Sequence, residues 1–345
     1  MEKKTVTTKR KVLNIFYYLF FLAIAVFALY NCFKDIKFDE FAAQLKSANY
    51  FLIGLSVLAG ILAYVIRSLR WNILINPLGY APTAYNTYNA VMIGYMANLA
   101  VPRIGEITRC AVLNKTNKIP VDSLFGTVVT ERIIDLITLF VAIVLVFLIR
   151  MEFFTRFITE KLMPQWEPTL QQTSFGFVAL VVAIIIVSVV AIYFLFKWLL
   201  KLPSMAKLKK VLLGLAEGLK SIFKMKDRFK FIGYTIIIWI CYWLSSYLVI
   251  KALPSTIHLT AIDGLFLTVL GSLGWVVPVP GGMGSFHTFV AWGLTMYAIP
   301  FPDGVIFATI SHESQLLGMV FLGLIALISV SVSTNKKSKN NLKTA

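Results

Sequence analysis

Charge is concentrated where an apolar chain accommodates it least. The stretch "RIGEITR" carries Arg103, Glu106 and Arg109, and "TERIID" adds Glu131, Arg132 and Asp135. Glu131 and Asp135 are four apart and Arg132 is three before Asp135, so on a helix the three share one polar stripe. An ionised side chain in a membrane span costs at least about 2.5–3.5 kcal/mol. Six of them need either mutual neutralisation, as a salt-bridge net that pins local structure, or a polar substrate such as a headgroup or an ion. A third use is general acid catalysis on a lipid phosphate by a carboxylate of raised pKa, but no nucleophile accompanies these acids.

The second chemically loaded stretch is "VPVPGGMGSFH", residues 277–287, where two prolines and three glycines interrupt an apolar run. Its glycines Gly281, Gly282 and Gly284 permit positive φ and close approach of a ligand or backbone, and proline ends an incoming helix. His287 follows directly, and His312 beside Glu313 lies further on; the two histidines are candidates for proton coupling. No HxxxH or Cys/His spacing appears, so no metal site and no cofactor are expected. Cys32, Cys110 and Cys241 are odd in number and scattered, and read as ordinary apolar residues.

The elements that position these residues are membrane helices. Of 345 residues 58% are hydrophobic and 14% charged, which is membrane composition. The net charge of +17 is distributed between apolar spans rather than on one soluble face, which argues for positive-inside topology and against nucleic acid. Runs long enough to cross lie at about 12–31, 50–69, 121–149, 176–200, 231–252 and 305–332. Two further segments, 86–101 and 262–299, are too short or too broken to be simple spans.

Charge sets the topology. The basic head 1–11, Arg67 with Arg70, the cation-rich stretch 197–230 and the basic tail 333–345 belong on the cytoplasmic side, whereas 32–49 and 150–167 are balanced and lie outside. These assignments agree only if 86–101 and 262–299 each enter and leave on one side. Residues 203–230 alternate apolar and lysine positions at helical spacing, which predicts an amphipathic helix on the cytoplasmic leaflet. Residues 36–46 predict a shorter interfacial helix outside.

"VPRIG" at 101–105 and "VPVPG" at 277–281 share VPxxG, and each sits between full spans of opposite direction. Irregular backbone at membrane depth must be buried in protein or line a wet cavity, so the two breaks should meet. Inverted units with broken helices are a transporter arrangement, and half-helix N-termini beyond the breaks suit an anion.

"NLAVPRIGEITR", "TERIIDL" and "PVPGGMGSFH" together resemble the flippase-like transmembrane domain of the lysylphosphatidylglycerol synthetase family, also called UPF0104. The resemblance runs from about 12 to 332. It implies lipid handling, with Arg103, Gly105, Glu106 and Arg109 matching the first motif, Glu131, Arg132 and Asp135 the second, and Gly281, Gly282 and Gly284 the third. Many members carry glutamate where this chain has His287, and histidine suits a cationic aminoacyl headgroup poorly. With only a short tail after the last span, lipid synthesis is not expected of this chain.

The expected fold is an all-α polytopic membrane protein with six full spans and two re-entrant broken-helix hairpins in inverted repeats, at about 50–150 and 229–332, within one membrane domain over 12–332. The expected function is a translocase for a lipid with a phosphate headgroup, of phospholipid, aminoacyl-phospholipid or polyprenyl-phosphate type, and not an enzyme. The expected setting is the bacterial cytoplasmic membrane, with both termini inside. The alternatives are a membrane-embedded enzyme on a lipid phosphate and a nontransporting partner in envelope synthesis. Membrane lipids are the expected partners, and a second copy or an envelope-synthesis protein is a candidate.

Overall fold

Without water to satisfy its peptide groups, an apolar chain closes its hydrogen bonds within helices. The computed structural model describes residues 8–34, 36–151, 153, 155 and 226–343, with side chains described between 19 and 334. The chain divides into two compact units, 1–142 with 227–345, and 143–226; the second is described only at its edges. All regular elements among the described residues are helical: α1 (Thr8–Phe33), α2 (Phe38–Ser47), α3 (Tyr50–Ile75), α4 (Ala84–Ala100), α5 (Ile104–Asn117), α6 (Val121–Ile149), α7 (Arg228–Ala252), α8 (Ala261–Val276), α9 (Ser285–Thr295) and α10 (Phe301–Lys343).

Among the described residues, four stretches are long and apolar enough to cross a membrane: 50–78, 121–149, 228–252 and 301–334. They contain four of the expected spans. The run at 12–31 falls within α1, which bends by 83° into α2, the helix expected over 36–46. The remaining span, 176–200, and nearly all of 150–167 and 203–230 lie outside the described residues. α10 continues past the expected span 305–332 to Lys343, so the basic tail begins as a continuation of that helix.

Both breaks follow from proline. Val101 before Pro102 is extended (φ −136°, ψ 123°) and ends α4; Val277 before Pro278 (φ −62°, ψ 131°) ends α8, as the clash of the proline ring with the preceding residue favours. After the second break, Gly281, Gly282 and Gly284 have φ of 56°, 72° and 79°, so all three glycines adopt backbone that favours no side chain. After the first, the left-handed residue is Arg103, at φ 62°. Gly105 has a different task, inside α5. A Cβ there would collide with the Gly94 carbonyl and lie 2.7 Å from Asn98 Oδ1, and one on Gly94 would lie 2.8 Å from the Gly105 carbonyl.

These small residues let α4 and α5 cross at backbone contact. Gly94→Val is therefore expected to force the pair apart at a cost of about 1–3 kcal/mol, read as a lower thermal midpoint in detergent. An unchanged midpoint would show that the crossing has slack.

Long-range packing ties the two halves of the first unit together. α3 lies along α7, and α10 packs on α4 and α9. Ser56, Ser245 and Gln315 join α3, α7 and α10: the serine hydroxyls are 3.0 Å apart, and Gln315 Nε2 donates to them at 3.0 and 2.9 Å. Between apolar helices in lipid, such polar contacts and small-residue approaches replace the hydrophobic drive. Gly60 makes room for the Gln315 amide. The two VPxxG breaks meet, as expected: Gly281 abuts Leu99, and Arg103 Nη2 donates to the Val276 carbonyl at 3.2 Å.

Candidate functional site

α6 contributes the acids. At 1.5 Å per residue, Glu131 and Asp135 lie about 15 and 21 Å from the start of the helix at Val121. Glu131 is fully buried. Its Oε1 accepts from Arg67 Nε at 2.7 Å and Arg70 Nη2 at 3.1 Å; its Oε2 lies 2.8 Å from Arg109 Nη1, an ion pair not aligned as a hydrogen bond. Asp135 Oδ1 accepts from Arg70 Nη2 at 2.7 Å, and Asp135 Oδ2 pairs with Arg67 Nη2. Arg67 Nη1 also donates to the Tyr95 hydroxyl at 2.6 Å and lies 3.4 Å from that of Tyr242.

Arg67 and Arg70 are thus the main counter-ions of the α6 acids. Charge bias places them near the cytoplasmic end of a span, and their side chains are buried in protein. They are three apart on α3 and share one face, and Arg70 also reaches Thr235 on α7 at 3.1 Å. The missed signal was that spacing within "IRSLRWN". The six residues first considered sum to zero, so nothing in their balance called for more cations.

Arg103 is exposed and turned to α8, and does not join this cluster. With Arg103 out and Arg67 and Arg70 in, four guanidiniums (67, 70, 109, 132) face three carboxylates (106, 131, 135), leaving one net positive charge. Protonation of an acid is not needed to make the cluster cationic.

The cluster has an interior and an edge. Inside, Arg67, Arg70, Glu131 and Asp135 are knitted together. At the edge, Arg132 Nη2 pairs with Glu106 Oε1 at 3.1 Å, and its Nη1 is 3.8 Å from Asp135. Arg109 lies over the Trp71 ring at 4.5 Å, and the indole is fixed by its N–H donating to Thr127 at 2.8 Å. Arg109 Nε and Nη2, Arg132 Nε and Glu106 Oε2 are buried without hydrogen bonds. These residues border a cleft between α4, α5 and α6, with Gly94, Tyr95 and Asn98 opposite, too tight as it stands for a water molecule. Asn98 Oδ1 accepts from the Gly105 N–H at 2.6 Å, so one donor at the start of α5 is already used.

Gly281, Gly282 and Gly284 do not border this cleft. They shape a second locus, where His312 Nε2 is 2.9 Å from the Gly281 carbonyl and His312 Nδ1 is 3.0 Å from Glu313 Oε1. His287 Nε2 is 3.9 Å from the same oxygen, and the two imidazole centroids are 5.2 Å apart. The expectation that no metal site exists rested on local spacing. The fold joins His287, at the start of α9, to His312 and Glu313 on α10, a grouping that sequence spacing cannot display. Cys32, Cys110 and Cys241 are free and buried.

Among known proteins, the chain is similar to the UPF0104 membrane protein MJ1595 of Methanocaldococcus jannaschii, 34% identical over 131 residues, which are 37% of each chain. It is also similar to the glycosyltransferase AglD of Haloferax volcanii, 29% identical over 119 residues, 34% of this chain and 18% of that protein. The matches thus span well under half the length of either relative. No solved structure matches. A family model described as the lysylphosphatidylglycerol synthase TM region matches residues 15–323, nearly the whole stretch that holds the charge cluster, both breaks and the histidine pair, and the chain belongs to that family.

Proposed function

We propose that this integral membrane protein translocates a lipid with a phosphate headgroup between leaflets, through the cleft bordered by Arg109, Arg132 and Glu106. The supporting observation is the edge of the cluster: three guanidinium nitrogens without acceptors, beside one carboxylate oxygen without a donor, in a cluster of net charge +1. A buried unpaired donor costs about 1–3 kcal/mol and more when charged. A phosphate oxygen satisfies such donors, and the guanidinium fork offers two parallel bonds to it. Glu106 Oε2 adds a preference for a headgroup that also carries a hydroxyl or ammonium donor.

The tightness of the cleft fits a closed state, and half-exposed Arg132 is the group free to swing aside for the headgroup. In this reading the breaks belong to two re-entrant hairpins in inverted units of a six-span protein, with both termini cytoplasmic. Single cysteines at Lys209 and Lys220 should then label only from the cytoplasmic side. Labelling from outside would overturn that topology.

The direct test is reconstitution. Vesicles holding the purified chain should move a fluorescent phosphate-headgroup lipid across the bilayer faster than empty vesicles and leave a neutral glycolipid unmoved. Mass spectrometry should find a phosphate-headgroup lipid co-purified with the protein. Equal rates with and without protein, and no such lipid retained, would reject the reading. Similarity to a protein named as a glycosyltransferase keeps one alternative specific: a nontransporting role beside sugar transfer, in which substitutions at the cleft edge leave lipid movement unaffected.

A further inference from the structure

We propose that His287, His312 and Glu313 form a binding site for one divalent transition-metal ion, with zinc the best fit. The donor atoms all lie within 4.8 Å of one another. In a tetrahedral centre with bonds of about 2.0–2.1 Å, neighbouring donors are roughly 3.3 Å apart. The separations here, 3.0 Å from His312 Nδ1 to Glu313 Oε1 and 3.9 Å from His287 Nε2 to the same oxygen, bracket that value. The remaining separation, between the two histidine donors, is within 4.8 Å, so the ion draws the two imidazoles together when it binds.

Hydrogen-bond accounting points the same way. His287 is 1% exposed, and its Nε2, the nitrogen facing Glu313, makes no hydrogen bond among the described residues, so its lone pair is open to a ligand; its Nδ1 is buried without the outer-shell acceptor that His312 has. A packing histidine ordinarily has a partner. His312 has the opposite mismatch. Both its nitrogens face acceptors, while a neutral imidazole carries one N–H. With that N–H on Nε2, donated to the Gly281 carbonyl, the Nδ1 lone pair is directed at the Glu313 side as a ligand. A backbone carbonyl holding the second nitrogen is the usual support of a metal-bound histidine, because it fixes tautomer and ring orientation.

The Gly281 carbonyl reaches His312 from a residue at φ 56°, so the break itself positions the ligand. Trp275 and Phe286 flank His312, with centroids at 5.3 and 5.0 Å, and Phe33 lies 6.0 Å from His287. These rings shield the imidazoles. Glu313, 41% exposed, marks the open side, where a fourth ligand, water or a phosphate oxygen, completes the coordination. Two neutral imidazoles and one carboxylate leave the bound divalent ion one net positive charge, which favours an anionic fourth ligand.

The test uses the tag-free full chain in detergent, stripped with chelator and then loaded with zinc or cobalt(II). We expect one metal per chain by elemental analysis after gel filtration, and for cobalt the intense visible absorption of a tetrahedral centre. His287→Asn, which removes no hydrogen bond from the fold, and Glu313→Gln are each expected to weaken binding at least about 10–100-fold, no less than loss of an outer-shell partner does. Substoichiometric metal in the wild-type chain overturns the site. Unchanged affinity in both variants overturns it as well. The readout is metal content, so its failure leaves the lipid reading untouched.

Discussion

Replacing Glu131 by glutamine is expected to remove about 3–5 kcal/mol of folding stability, the usual cost of breaking a buried ion pair from one side. The carboxylate holds three guanidiniums from two other helices, Arg67 and Arg70 of α3 and Arg109 of α5. A glutamine amide offers one acceptor oxygen and two donors in its place, so at least one guanidinium meets an N–H. The cluster's net charge also rises from +1 to +2 with no water to screen it. Against a total stability of about 5–15 kcal/mol, that loss should show as aggregation on gel filtration and a much lower thermal midpoint. Glu106→Gln is the control. Glu106 is 20% exposed and, among the described residues, pairs with Arg132, itself 37% exposed, so its loss should cost less than about 1 kcal/mol. If Glu131→Gln were as stable as the parent, the net would not be what clamps α3 and α5 to α6.

This stability role was hidden in the sequence, although most of the elements that create it were not. The spans at 50–69, 121–149, 231–252 and 305–332 were legible because their apolar length has one solution in lipid. The breaks were legible because the residue before proline is biased toward extended backbone and glycines follow closely in each motif. The meeting of the breaks followed from the rule that irregular backbone must be covered. What could not be read was which side chains face each other across helices. Arg67 and Arg70 looked like flank charges, since charge bias counts residues near span ends without regard to helix face. Arg103 looked like part of the cluster because it is adjacent in sequence to Glu106; its left-handed backbone turns it to α8 instead. Glu313 was visible beside His312, but its relation to His287 depends on how α9 returns against α10. The two readings of the charges, structural net or polar path, were posed as rivals for one set of residues. They divide between different residues: interior pairs fix the helices, and most of the unsatisfied polar atoms, those of Glu106, Arg109 and Arg132, sit at the edge, with Arg70 Nε and Glu131 Oε2 the interior exceptions.

Arg109→Lys separates those two roles, and we expect it to weaken binding of a phosphate-headgroup lipid by about 100-fold or more while the chain stays folded. Arg109 uses Nη1 for Glu131 and leaves Nε and Nη2 free, held flat by the Trp71 ring at 4.5 Å. Lysine keeps a positive charge that can reach Glu131, so the net is preserved. It has one nitrogen, however, and an ammonium engaged with Glu131 presents no fork to a second anion. Two lost bonds to a charged oxygen, at about 1.5–3 kcal/mol each, amount to at least about two orders of magnitude in affinity. Transport of the fluorescent lipid in vesicles should fall in step with binding. Arg103→Ala supplies the contrast. Its guanidinium serves one backbone carbonyl on α8, so binding should change by less than about tenfold, the scale of one ordinary hydrogen bond. Should Arg109→Lys transport at the parent rate while Arg103→Ala fails, the headgroup would sit at the junction of the two breaks and not in the cleft between α4, α5 and α6.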